Sequence, residues 1–378
     1  MTYSATAIPN SAGYTGGLLI NDAAMLVWEA GLPRDLYLYR PATGLTTKII
    51  PNSGDGRAGC VHHLNAAGTV VWDTVSGSSY VVMRYDGLAA QLLNVGGQSC
   101  HDPDLNDNEL VVLVRYGWWQ NVFECHLATW FNGQYSKLLG WPGSRYAVLS
   151  PRINGNGQIA YVLFDGEVKT YEVHLYANQA DKVLGGPYGW VGDVDLNSHG
   201  WVLWANTKEW QANCVGIYLF DGTETRKISP SNAPLPSPSF PHLNNAGKVV
   251  YEAGTCDQMD IFLYAEGITQ KLDALVPFNY HPQIDAAGQI VWWGSSEWDS
   301  LATGCVYGSF NGAPTEKIAD SGAYPVINDP GHVAYWDANA RQIVLLTPSS
   351  LFFNWRRLLW AIRSLIRRIW TWLQSRLS

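Results

Sequence analysis

Short apolar runs alternate with glycine-marked turns along this chain, and one arrangement recurs. Pro241-His242-Leu243-Asn244-Asn245-Ala246-Gly247-Lys248-Val249-Val250-Tyr251 matches His63-Leu64-Asn65-Ala66-Ala67-Gly68-Thr69-Val70-Val71-Trp72 and Gln283-Ile284-Asp285-Ala286-Ala287-Gly288-Gln289-Ile290-Val291-Trp292. The same unit surrounds Asn21, Asn106, Asn154, Asn197 and Asn328, so eight anchors follow one another at intervals of 41 to 48 residues. Apolar runs of this length, rich in β-branched and aromatic residues and bounded by turn residues, predict strands.

Each unit has one grammar. A first strand ends at Leu or Ile followed by Asx. A glycine three positions on, able to take positive φ, makes the tight turn, and the Asx side chain bonds the turn backbone. A β-branched second strand follows. A third, such as Ile217–Phe220, runs into Asp221-Gly222, and an edge strand closes the unit; Asp86-Gly87, Asn132-Gly133, Glu266-Gly267 and Asn311-Gly312 mark the same last turn. Four strands per unit at this period predict an all-β, eight-bladed β-propeller, with seven blades as the alternative if the first or eighth unit is not a blade. The eighth unit stops after its third strand, Gln342–Leu346, and Tyr3–Ile8 is expected to supply the missing outer strand and close the ring. The Asx-x-x-Gly inner-strand turn resembles that of TolB-like and related bacterial propeller repeats over residues 3–347. The resemblance implies a fold and no particular function, because propellers host many chemistries.

After Pro348 the period changes. Phe352, Trp355, Leu359, Ile362, Ile366, Ile369 and Leu373 step by threes and fours, predicting a C-terminal amphipathic α-helix. Arg356, Arg357, Arg363, Arg367 and Arg368 lie off that stripe, and Trp360, Trp370 and Trp372 suit interfacial depth. The expected partner of this helix is an anionic membrane surface, a helical bundle of its own copies or of another protein, or the propeller itself. The domain reading is therefore 1–348 propeller and 349–378 basic helix.

Charge sharpens this division. The 378 residues carry a net charge of −8, but 351–378 holds six Arg and no acid, so the rest is −14. Nucleic acid is excluded as a partner of the acidic body, since phosphate contacts dominate such binding. The six cysteines form no CxxC, which argues against zinc sites of that type and leaves free thiols as the expectation. The N-terminus in this numbering shows no signal-peptide pattern, so the expected location is cytoplasmic or peripheral to a membrane, with a secreted form still open.

Two residue sets carry candidate chemistry. Loops between second and third strands, and between units, vary and should share one face. Trp118, Trp119, Trp141, Trp190, Trp210, Tyr280 and Trp298 fall there as candidates for stacking on a glycan or anchoring a protein ligand. Just before the anchors, His62, His63, His101, Asp102, His242 and His281 line the channel as candidate catalytic residues. Alternation along a strand puts Asp102 and Asp104 on one side. No cofactor is predicted, although His and carboxylate side chains at the channel mouth leave a divalent metal possible. A non-enzymatic binding or scaffold protein is the expected function, with a propeller-type polysaccharide lyase or hydrolase, or a helix-mediated homo-oligomer, as alternatives.

Overall fold

The computed structural model describes residues 2–31, 34–49, 58–77, 79–93, 99–119, 122–206, 215–230, 238–255, 257–272 and 275–349, with only the backbone of 58–61, 119, 122 and 193. Trp210 and the whole basic segment 351–378 lie outside the described residues, as does the side chain of Trp119. Regular structure among the described residues is β-strand, apart from one short 3-10 turn at Leu301–Thr303.

The strands form antiparallel four-stranded meanders, as in Tyr14–Ile20, Leu26–Ala30, Asp35–Arg40 and Leu45–Lys48. Six such sheets stand alone; an eight-stranded sheet consists of two further meanders that meet at a single parallel bridge, Met259 to Phe278. Tyr3–Ala7 pairs antiparallel with Gln342–Pro348, Tyr3 opposite Pro348 and Ala7 opposite Val344, so the start of the chain completes its last sheet as the pattern predicted.

The Asx anchors join the sheets at their centre. Asn244 Oδ1 accepts the amides of Ala246 at 3.0 Å and Lys248 at 2.9 Å, which holds the turn. Its Nδ2 donates to the carbonyl of Asp285 at 2.9 Å. The same inter-sheet bond runs from Asn21 to Asn65, Asn65 to Asn106, Asn106 to Asn154, Asn154 to Asn197 and Asn197 to Asn244. Asn328 donates to the carbonyl of Asn21, returning to the start. All eight anchors are buried. Glycine takes the left-handed third turn position in most units, but Ala24 and Glu109 adopt it too, at φ 56° and 64°.

The core repeats with the same period. Seven residues after an anchor, Trp28, Trp72, Trp204 and Trp292 are buried, and Tyr161 and Tyr251 fill equivalent positions. Several lie flat on their cross-strand partner: Trp28 on Tyr37 at 5.7 Å, Trp204 on Tyr218 at 5.7 Å and Tyr251 on Phe262 at 5.3 Å. Such pairs add about 0.5–1.5 kcal/mol each beyond their buried area. His174 takes the aromatic slot opposite Tyr161, at 4.9 Å.

Candidate functional site

The two faces of the ring differ. One carries the anchor turns, stitched by hydrogen bonds. The strand Gln342–Pro348 ends beside the Asn328 turn, since Leu346 lies opposite Val333, so the chain leaves toward residue 350 on this turn face. The other carries the longer connections.

On this loop face the sheets are unequal. The outer strands Gln134–Pro142 and Ala180–Tyr188 have nine residues each, whereas Leu45–Lys48, Ala90–Leu92, Thr225–Lys227, Ile268–Lys271 and Glu316–Ala319 have three or four. The two long sheets end in aromatic pairs. Trp118, 65% exposed, meets the edge of Phe123 at 5.8 Å, and Trp190, 40% exposed, meets Tyr171 at 5.2 Å. Trp298 is exposed and packs edge-on against Phe278. Trp141 is half-buried against Tyr161. Tyr280 is buried, 4.7 Å from Trp293, and its hydroxyl accepts the Asp299 amide.

The channel wall departs from simple alternation. Four residues before the anchor, the inner strand turns left-handed in six units: Gly17, Asp102, Ser150, Phe240, His281 and Tyr324 have φ between 47° and 64°. A register shift follows at each, the mark of a β-bulge. The bulge corrects the expected pairing of Asp102 with Asp104. It rotates the strand between them, so the two carboxylates reach different partners. Asp104 accepts the amides of Leu105 at 2.8 Å and Ile153 at 2.9 Å, bridging to the next sheet. Asp195 does the same with Leu196 and Leu243. Asp102 Oδ1 lies 3.4 Å from His101 Nδ1, and its other oxygen faces the Ser150 amide.

Carboxylates from the second strand hold the bulges. Asp73 accepts the Asp102 amide at 3.2 Å, and Glu252 accepts the His281 amide at 2.7 Å and the Ser239 hydroxyl at 3.1 Å. Both occupy the position eight residues past an anchor, as does buried Glu29.

Among the candidate channel histidines, His62 is buried; its Nε2 faces the Gly17 carbonyl, and Glu29 lies 3.6 Å from its Nδ1. His63 Nδ1 lies 3.1 Å from Asp104. His101 stacks on Tyr116 at 5.1 Å. Gln283 Nε2 donates to His242 at 2.8 Å. His281 sits among Phe240 at 4.1 Å, Tyr324 at 5.3 Å and the parallel ring of Trp293 at 6.5 Å.

Burial sets the proton affinities. It pushes His281 down to about 4, helped by His242, and keeps its ring neutral. It lifts Glu252 to about 7 and Asp104 to about 6, against the hydrogen bonds each accepts. Burial also acts upward on Asp102, but His101, the Ser150 amide and Arg152 together hold it below the usual carboxylate range. No group of three or more His, Cys, Asp or Glu side chains able to hold a metal ion occurs among the described residues. Cys100, Cys125 and Cys305 are free thiols.

Phe240, Tyr324 and Glu252 escape motif reading. Their only sequence signal is a fixed offset from the anchors, at which residue type varies freely.

No family model matches the chain. No curated protein matches it either. Solved structures do. The propeller domain of the Trilobed protease from Pyrococcus furiosus is 9% identical with a TM-score of 0.53, covering 82% of this chain and 98% of that one. The fold is a β-propeller. Oligogalacturonate lyase from Vibrio parahaemolyticus is 12% identical with a TM-score of 0.51, covering 92% and 94%. Acylaminoacyl peptidase from Pyrococcus horikoshii is 10% identical with a TM-score of 0.51, covering 85% of this propeller, which spans only 57% of the peptidase.

Proposed function

We propose that the chain is an eight-bladed binding propeller. Its loop face recognises a glycan or protein ligand, and its basic C-terminal segment tethers it to an anionic membrane surface. The eight anchors and the pairing of first strand with last support the blade number. The observation that carries the binding reading is that Trp118, Trp190 and Trp298, from different blades, are all exposed on the face where two blades are lengthened. Exposed aromatic rings on a rigid scaffold suit stacking and hot-spot contacts. The tether rests on sequence: five Arg on the polar side of a tryptophan-bearing apolar stripe, with no acid in 351–378. Because the chain leaves on the turn face, a tethered ring presents its loop face away from the membrane. Screening the protein on glycan arrays and by affinity capture, then repeating with Trp118→Ala, Trp190→Ala and Trp298→Ala combined, tests the reading. Undiminished binding by a correctly folded triple variant would overturn it.

A second reading, a channel-mouth lyase or hydrolase, draws on buried Glu252 against the His281 backbone. Turnover of a polysaccharide, abolished by Glu252→Gln and His281→Ala, is the result it requires.

A further inference from the structure

The bulge position is conformationally expensive, and three consecutive blades fill it with rings. For a residue bearing a Cβ, the left-handed region costs about 1–2 kcal/mol, and glycine occupies it freely, as Gly17 does here. Phe240, His281 and Tyr324 nevertheless hold φ of 47°, 49° and 52°. Folding alone does not call for Phe240, which stays 47% exposed. Strained residues persist where the surroundings over-determine them, and they cluster at binding sites. The three rings form one arc at the loop-face mouth of the channel, 4.1 Å and 5.3 Å between neighbouring centroids.

Following the anchors around the ring, Asp102 lies four units from His281 in either direction, so it faces the aromatic arc across the channel. Asp102 stays ionised, and its side chain is partly exposed. Ser150 stands beside it, its amide toward the Asp102 carboxylate. The mouth is therefore aromatic on one side and carries the Asp102 carboxylate on the other, with Arg152 within electrostatic range of it.

We propose that this mouth binds an amino-sugar oligosaccharide, its ring faces against Phe240, His281 and Tyr324 and an ammonium group toward Asp102. The inference rests on the loop-face binding reading and names its ligand. A sugar ring supplies an apolar face for stacking on a neutral aromatic arc and hydroxyls for the surrounding polar groups. Asp102 opposite attracts an ammonium and disfavours a uronic acid, a contrast that Arg152 reduces without reversing.

The test is calorimetric titration with a glucosamine tetramer, its N-acetylated counterpart, a galacturonate tetramer and a Lys/Trp peptide. The glucosamine tetramer is expected to bind best. Phe240→Gly should weaken it at least tenfold without lowering the melting temperature, because glycine relieves the strained backbone; a merely structural Phe240 would lower that temperature. Asp102→Asn should remove the preference for the amine over the acetamide. Equal or tighter binding of galacturonate, binding of the peptide in place of sugar, or no response to either variant overturns the inference. Sugar binding that responds only to the Trp118, Trp190 and Trp298 variants also overturns it, while leaving the loop-face reading standing. Absence of all sugar binding overturns it too, and the loop-face reading is then decided by protein capture with the tryptophan variants.

Discussion

The side-chain amide of Asn328 donates to the main-chain carbonyl of Asn21, 307 residues earlier, at 2.8 Å. Its Oδ1 meanwhile accepts the His332 amide at 2.8 Å. One buried side chain thus makes its own turn and shuts the ring. Asn328→Ala leaves the His332 amide without its acceptor and removes one of the two hydrogen bonds to the Asn21 carbonyl, which keeps the Ala24 amide at 2.9 Å. One unsatisfied amide and one lost hydrogen bond should cost about 2–4 kcal/mol. Chemical denaturation measures the loss, and an unchanged midpoint would contradict the role.

Asp285 is the one anchor that is not asparagine. Its Oδ1 accepts the Gln289 amide at 2.7 Å like the others, but a carboxylate has no hydrogen to pass to the next anchor. Asp285→Asn should complete the series and raise stability by about 0.5–1.5 kcal/mol. A lower melting temperature would show that the acid has a use of its own.

Gly17 is the one glycine at the described bulge positions, and the reason is steric. A Cβ there would sit 2.1 Å from His62 Cε1. Since other blades accept side-chain-bearing residues at this φ, the clash rather than the backbone decides the cost. Gly17→Ala should lower the melting temperature clearly, and adding His62→Ala should restore part of it. The double-mutant cycle measures that coupling; simple additivity would sink the explanation.

Glu252 is raised in the folded state to about 7 from an ordinary 4.5. A carboxyl raised in this way holds its proton longer folded than unfolded. Its contribution is thus fully present below about pH 4.5, falls as pH climbs toward 7 and is gone above. Glu252→Gln keeps an acceptor for the His281 amide and removes this dependence. Relative to the parent, the variant should gain on the order of 2–3 kcal/mol between pH 4.5 and pH 8. Parallel denaturation curves at the two pH values check the difference.

The tether predicts that the full chain floats with vesicles containing anionic lipid and that a 1–348 truncation does not. Raising salt should weaken flotation, because basic side chains near a charged surface act through a screened potential. If light scattering instead shows the full chain as an oligomer that the truncation lacks, a helical bundle replaces the membrane.

The sequence alone determined what is local and repeated. The Asx-x-x-Gly turns, four strands per unit, the buried tryptophans seven residues past the anchors and the strand exchanged between the two ends all follow from short-range turn chemistry and strand periodicity. These act within a hairpin and leave the same signature each time. Only the tertiary structure decided what depends on a neighbouring blade. The bulge that separates Asp102 from Asp104 is held by Asp73 of the preceding sheet. His62 is buried because Gly17 of another blade lets it in. Which rings meet around His281 is likewise set by three inner strands converging on one axis. Alternation describes a strand by itself. Near the centre of a ring, crowding and hydrogen bonds from adjacent blades turn the strand, and the residues facing the channel change with it.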